Sequence, residues 1–112
     1  ITNPTHFAVA LKYEPDENDV PIILALGKGP AALRIIEQAE TNSVSVVQSP
    51  LLARALFYTG QIGNAVSEQL YSAVASILAY VYQLERGVDA VLQDPDIPSD
   101  LMFDEFGKLV KE

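Results

Sequence analysis

Asn3, Pro4, Thr5 and His6 are consecutive, and their residue types allow a reaction that needs no second molecule. An asparagine side-chain amide can attack its own backbone carbonyl carbon, closing a five-membered succinimide and expelling the next residue as an amine. In most sequences a competitor wins: the next backbone nitrogen attacks the side chain and the asparagine deamidates. Proline has no backbone N–H, so Asn3-Pro4 blocks the competitor and leaves chain cleavage. The attack needs the amide held close to the carbonyl, which a rigid loop supplies as effective molarity. Donors aimed at the carbonyl oxygen would stabilise the oxyanion. His6 is the only histidine and the one side chain with a reference pKa near neutrality, which suits proton transfer. Thr5 can orient the loop through a side-chain to backbone hydrogen bond. The plainer reading is that Asn-Pro marks a turn and that a lone His beside a strand is solvated or packed.

Other chemistries are constrained by composition. The 112 residues contain no cysteine, which excludes disulfides, thiolate metal sites and a Cys nucleophile. One histidine excludes a multi-His metal centre, and neither a metal nor a cofactor is expected. Seven Lys+Arg against fifteen Asp+Glu give a net charge of −8, without the basic footprint that nucleic-acid binding uses. An acidic surface also disfavours docking on an anionic leaflet. No apolar run is long enough to span a bilayer, and no signal peptide is expected. The chain starts at Ile rather than Met, which reads as a fragment or processed product whose parent could be membrane-embedded. A hydrophobic content of 49% in this length suits one compact core.

The elements that would position the loop follow in order. Residues 7–13, F-A-V-A-L-K-Y, alternate with period two and predict a strand, with small alanines on one face where a helix could pack closely. An acidic loop, residues 14–19, leads to Pro21 and the continuous apolar run 22–26, expected to be a strand buried on both faces. Gly27-Lys28-Gly29 ends it, and Pro30 opens a helix to Glu40 with Ala32, Leu33, Ile36 and Ala39 on one face. Residues 44–47 predict a short β-branched strand. Ser49-Pro50 starts a second helix with Leu51, Leu52, Ala55 and Leu56 as its apolar stripe. A third runs from Ser67 to about Arg86, with Leu70, Val74, Ile77, Leu78 and Val81 on one side. Residues 88–112 form an acidic tail, extended around Pro95 and Pro98, with a short helix expected over 99–110. The strand–helix–strand unit of 21–47 implies a parallel pair with a right-handed crossover, and the first strand should run antiparallel to its neighbour. The expected fold is α/β: a small mixed β-sheet flanked by about four helices, with domain 1–87 and tail 88–112.

Residues 3–13, N-P-T-H-F-A-V-A-L-K-Y, resemble the start of the cytoplasmic domain of the FlhB/YscU family, autocleaving specificity-switch proteins of type III secretion. The resemblance continues through residues 21–25, 32–35, 50–57, 62–63, 70–75 and 78–82, and the 97–103 segment resembles the tail of flagellar members. Ala-Val-Ala-Leu after His6 and Leu-Ala-Tyr-Val-Tyr at 78–82 favour the flagellar branch over the injectisome branch. The resemblance implies single-turnover cleavage between Asn3 and Pro4, not a turnover enzyme, with Thr5 and His6 shaping the loop and handling protons. It implies a parent with transmembrane helices at the cytoplasmic face of the bacterial inner membrane, whose cleaved pieces stay associated. It implies a change of export from rod–hook to filament substrates. The implied partners are the export-gate protein FlhA, the ruler protein FliK, rod–hook substrates and the domain's own N-terminal cleavage fragment. It also implies an apolar substrate-docking patch at Val20, Pro21, Ala75 and Leu78, positions that plain core packing would explain equally well by periodicity. Only Ile1 and Thr2 remain of the strand that should precede the loop. The alternative is a stand-alone or injectisome-type module that binds partners without a working switch.

Overall fold

A computed structural model describes residues 1–3, 6–14, 16, 20–92 and 95–110. Pro4, Thr5, and Pro15 and residues 17–19 of the acidic loop lie outside the described residues. Three strands, β1 (Thr2–Asn3), β2 (Phe7–Lys12) and β3 (Ile22–Lys28), form an antiparallel sheet in the order β1-β2-β3. The helices are α1 (Pro30–Thr41), α2 (Pro50–Thr59) and α3 (Tyr71–Glu85), the last preceded by a 3₁₀ turn at Glu68–Leu70. No helix among the described residues is long and apolar enough to cross a membrane.

The alternation of β2 divides the core. Phe7 and Val9 point to the side where Leu52, Leu56, Leu70, Val74 and Ile77 are buried. Ala8 is fully buried on the other side, where α1 packs along β3 and β2. That approach is close because both surfaces are small. A Cβ added at Gly27 would sit 2.7 Å from the Ile35 side chain and 2.8 Å from the backbone of Ala31 and Ala32. Pro30 occupies the first turn of α1 as expected.

The α/β class is as expected, but the connectivity differs in three places. Residues 44–47 do not form a strand paired with β3. The expected parallel pair and its crossover are therefore absent among the described residues; Gln48, just after this segment, makes a parallel bridge, to Thr2. The reason lies in available partners. The outer edge of β3 is taken instead by residues 63–66, with Ile23 N–H donating to Asn64 O at 2.9 Å and Val66 N–H to Pro21 O at 3.1 Å. Nor is β3 buried on both faces, since Leu24 is 52% exposed. The helix expected at 99–110 is one 3₁₀ turn, Ser99–Leu101, followed by a Phe103↔Leu109 bridge. Within that loop the Asp104 carboxylate accepts the N–H groups of Phe106 and Lys108, both at 2.9 Å, an Asx geometry that competes with helix. Phe106 is 74% exposed.

Ile97 from the tail is buried in the same core cluster, and Leu92, Leu101, Met102 and Phe103 pack against it. The tail is held further by Arg54 Nε donating to Phe103 O at 2.7 Å.

Candidate functional site

The loop begins in a strand bonded on both edges. On one side Val9 N–H donates to Ile1 O at 3.0 Å. On the other, Thr2 N–H donates to Val47 O at 2.8 Å and Ser49 N–H to Thr2 O at 2.7 Å. Thr2 and Ser49 are buried. Ser49 stands at the N-cap of α2 but makes no side-chain cap bond; its N–H serves β1, while its carbonyl accepts Ala53 N–H at 2.8 Å. The entry to the loop is therefore tied to β2 on one side and to the segment before α2 on the other.

The exit is fixed by different means. His6 N–H donates to the carbonyl oxygen of Asn3 at 3.0 Å, and Gly29 N–H donates to His6 O at 2.9 Å. The following residue, Phe7, is fully buried and packs edge-on against Phe57 and Tyr58, at centroid separations of 5.2 and 5.7 Å. Lys28, the register partner of Phe7, lies with its amine 5.5 Å from that ring and donates to Glu105 O at 2.8 Å. Tyr58 OH donates to the same oxygen at 2.7 Å. The tail thus closes over the aromatic cluster behind the loop.

Asn3 is half-buried and His6 exposed. The residues at the two ends of the loop are brought together by a bond to the one carbonyl that an Asn3 cyclisation would attack. A backbone N–H on that oxygen is the donor an oxyanion requires. Sequence reasoning assigned the donor role to no residue, and the contributions of the His6 backbone and of Gly29 leave no side-chain signature. Pro4 and Thr5 lie outside the described residues. Among the described residues no group of three or more His, Cys, Asp or Glu could hold a metal ion.

Val20, Pro21, Ala75 and Leu78 do come together. All four line one open cleft of about 760 Å³ between the start of β3 and α3. Pro21 is buried, Val20 and Leu78 are half-buried and Ala75 is exposed. Leu11, Tyr13, Tyr71, Tyr82 and Glu85 are among the residues of its other walls. Tyr71, Ala75, Leu78 and Tyr82 follow the i, i+4, i+7, i+11 spacing of one helix face. The tyrosines, missed in the sequence, could have been found by that signal.

Fold and site together define a small α/β domain whose first two strands are joined through an Asn-Pro connection with a backbone donor on the asparagine carbonyl. The family model described as FlhB HrpN YscU SpaS Family matches residues 1–81, and the chain belongs to that family. Its relatives include the flagellar biosynthetic protein FlhB of Aquifex aeolicus, 51% identical over 90 residues (80% of this chain, 26% of that protein). The FlhB of Salmonella typhimurium is 44% identical over 101 residues (90% of this chain, 26% of that protein). The chain thus spans about a quarter of the length of these curated relatives. Among solved structures, the cytoplasmic domain of FlhB from Shewanella putrefaciens superposes with a TM-score of 0.81 at 33% identity, covering 89% of this chain and 83% of that one. The native SpaS C-terminal domain superposes with a TM-score of 0.70 at 27% identity, covering 75% and 97%.

Proposed function

We propose that this chain is the cytoplasmic domain of a flagellar export-gate protein that cuts itself once, between Asn3 and Pro4, and so changes export from rod–hook to filament substrates. The observation that carries the reading is the 3.0 Å bond from His6 N–H to the Asn3 carbonyl oxygen. In the reaction Asn3 Nδ2 bonds to the Asn3 carbonyl carbon while the C=O electron pair moves to oxygen, where the His6 N–H stabilises it. The Asn3–Pro4 C–N bond then breaks, and the proton lost by Nδ2 ends on the Pro4 nitrogen. Water opens the succinimide afterwards. Asn3 is nucleophile and acyl donor, Pro4 the leaving amine, and Thr5 and His6 shape the loop and serve proton transfer. The chain turns over once and is not an enzyme on other molecules.

The parent protein sits in the inner membrane with this domain on its cytoplasmic face, near the gate protein FlhA and the ruler FliK. The cleft of Val20, Pro21, Ala75 and Leu78 receives early substrates. Its apolar walls, open to solvent at Ala75, support that role better than core packing does.

The test is intact mass of the chain carrying an N-terminal tag. Two pieces meeting at Asn3 and Pro4, absent in Asn3→Ala, are expected. A folded chain still whole after prolonged incubation would overturn the reading.

A further inference from the structure

Gly29 ends the β2–β3 hairpin and stands at the N-cap of α1, with φ 60° and ψ −129°. L side chains rarely adopt that conformation. A Cβ added there would meet nothing within 4 Å. The need for glycine is therefore conformational and owes nothing to close packing. The Gly29 N–H extends the β2–β3 ladder by one bond, to His6 O 2.9 Å away, and the positive φ lets the chain keep that bond while it turns into α1, where the Gly29 carbonyl accepts Leu33 N–H at 3.2 Å. Pro30 follows, and the ring of a proline keeps its predecessor out of the right-handed helical region. His6 is thus bonded through both of its backbone groups: its carbonyl to Gly29, its N–H to Asn3. Together the two bonds restrict how the His6 N–H can turn.

We propose that Gly29 is a positioning residue for self-cleavage: its left-handed backbone holds His6 so that the His6 N–H stays on the Asn3 carbonyl oxygen as charge develops there. The proposal rests on the self-cleavage reading above. Gly29 touches no reacting atom and acts through His6. A donor already in place needs no reorganisation at the moment of attack, which is where such preorganisation gains its effect. The device lies 26 positions along the chain from the bond it serves, on a residue with no side chain.

The experiment compares tagged chains assembled by chemical ligation, so that cleavage is timed from folding: the native sequence, Gly29→Ala, and a chain with D-alanine at position 29. D-Alanine carries the same methyl group but favours the positive φ. Gly29→Ala is expected to slow the first-order cleavage about tenfold, part of the loss seen when an oxyanion donor is removed outright, and D-alanine to restore it. A second readout is the carbonyl ¹³C shift of residue 3 in an uncleavable Asn3→Ala background, which is expected to move with Gly29→Ala and return with D-alanine. Equal rates for native and Gly29→Ala chains would overturn the proposal. So would slow cleavage with an unmoved carbonyl shift, or failure of D-alanine to rescue. An uncut native chain would instead remove the self-cleavage reading itself, and the proposal with it.

Discussion

The N–H of Thr2 donates to the carbonyl oxygen of Val47 at 2.8 Å. With Ser49 N–H returning to Thr2 O, this ties β1 to the segment before α2, while Val9 ties it to β2. None of these bonds includes the Asn3–Pro4 linkage. Each contributes about 1 kcal/mol net, and all survive a cut there. The expected outcome is a cleaved domain that keeps its N-terminal piece. Amide exchange at Val9 and Ser49 should be equally slow in the cut chain and in uncut Asn3→Ala. Fast exchange at Ser49 on cutting would contradict a paired strand.

A second expectation concerns Gly27, whose hydrogen faces α1. Gly27→Ala would drive a methyl group to 2.7 Å from Ile35 and 2.8 Å from the Ala31 and Ala32 backbone. The helix backbone cannot yield as a flexible side-chain end does, so α1 must shift. Overpacking of this kind costs about 2 kcal/mol, read as a lowered urea midpoint with an unchanged slope. A midpoint equal to that of the native chain would refute the tight β3–α1 contact. The comparison with Gly29→Ala is instructive, since there the added methyl meets empty space and only the backbone conformation resists.

Much of the frame was legible in the sequence because single local signals fixed it. The alternation of 7–13 gave β2, and Pro30 and Pro50 marked the starts of α1 and α2. What was hidden depended on partners. Residues 44–47 have the composition of a strand, yet a strand needs a neighbour, and the free edge of β3 is taken by residues 63–66. The tail has helical spacing, yet Asp104 captures two backbone N–H groups and turns the chain back. At the site, residue types pointed to Asn3 and His6, but the bond joining them is between backbone groups, which side-chain chemistry does not encode. The apolar patch positions were legible only through resemblance; their convergence on one cleft is a product of the fold.

Asp104 makes the tail sensitive to acid. The backbone N–H of Lys108, foremost among its partners, lowers the carboxyl pKa below its ordinary 3.8, with Phe106 N–H adding to the effect. A folded value below the unfolded one means that the contribution is fully present above about pH 4 and is lost as pH falls through the folded pKa. The amide resonances of Phe106 and Lys108 should therefore titrate together below that pH, while those of β2 stay fixed. Asp104→Ala should abolish that titration. Persistence of the titration in the variant would assign it to another carboxylate.

Ala75 gives the sharpest separation of docking from stability. It is exposed on α3 at the mouth of the cleft, whereas its neighbour Val74 is fully buried in the core. Ala75→Asp places a charge among apolar walls that a docked peptide would desolvate, and an uncompensated charge there opposes burial. In the unoccupied cleft the new carboxylate stays hydrated, so folding stability should change by less than about 0.5 kcal/mol. Binding of a rod–hook substrate, measured by calorimetry, should weaken at least about tenfold, equivalent to about 1.4 kcal/mol. Because the cleft shares no residue with the Asn3 loop, cleavage should proceed at the native rate in the same variant. Native affinity in Ala75→Asp would remove the cleft as the docking site, and slowed cleavage would show that cleft and loop are coupled.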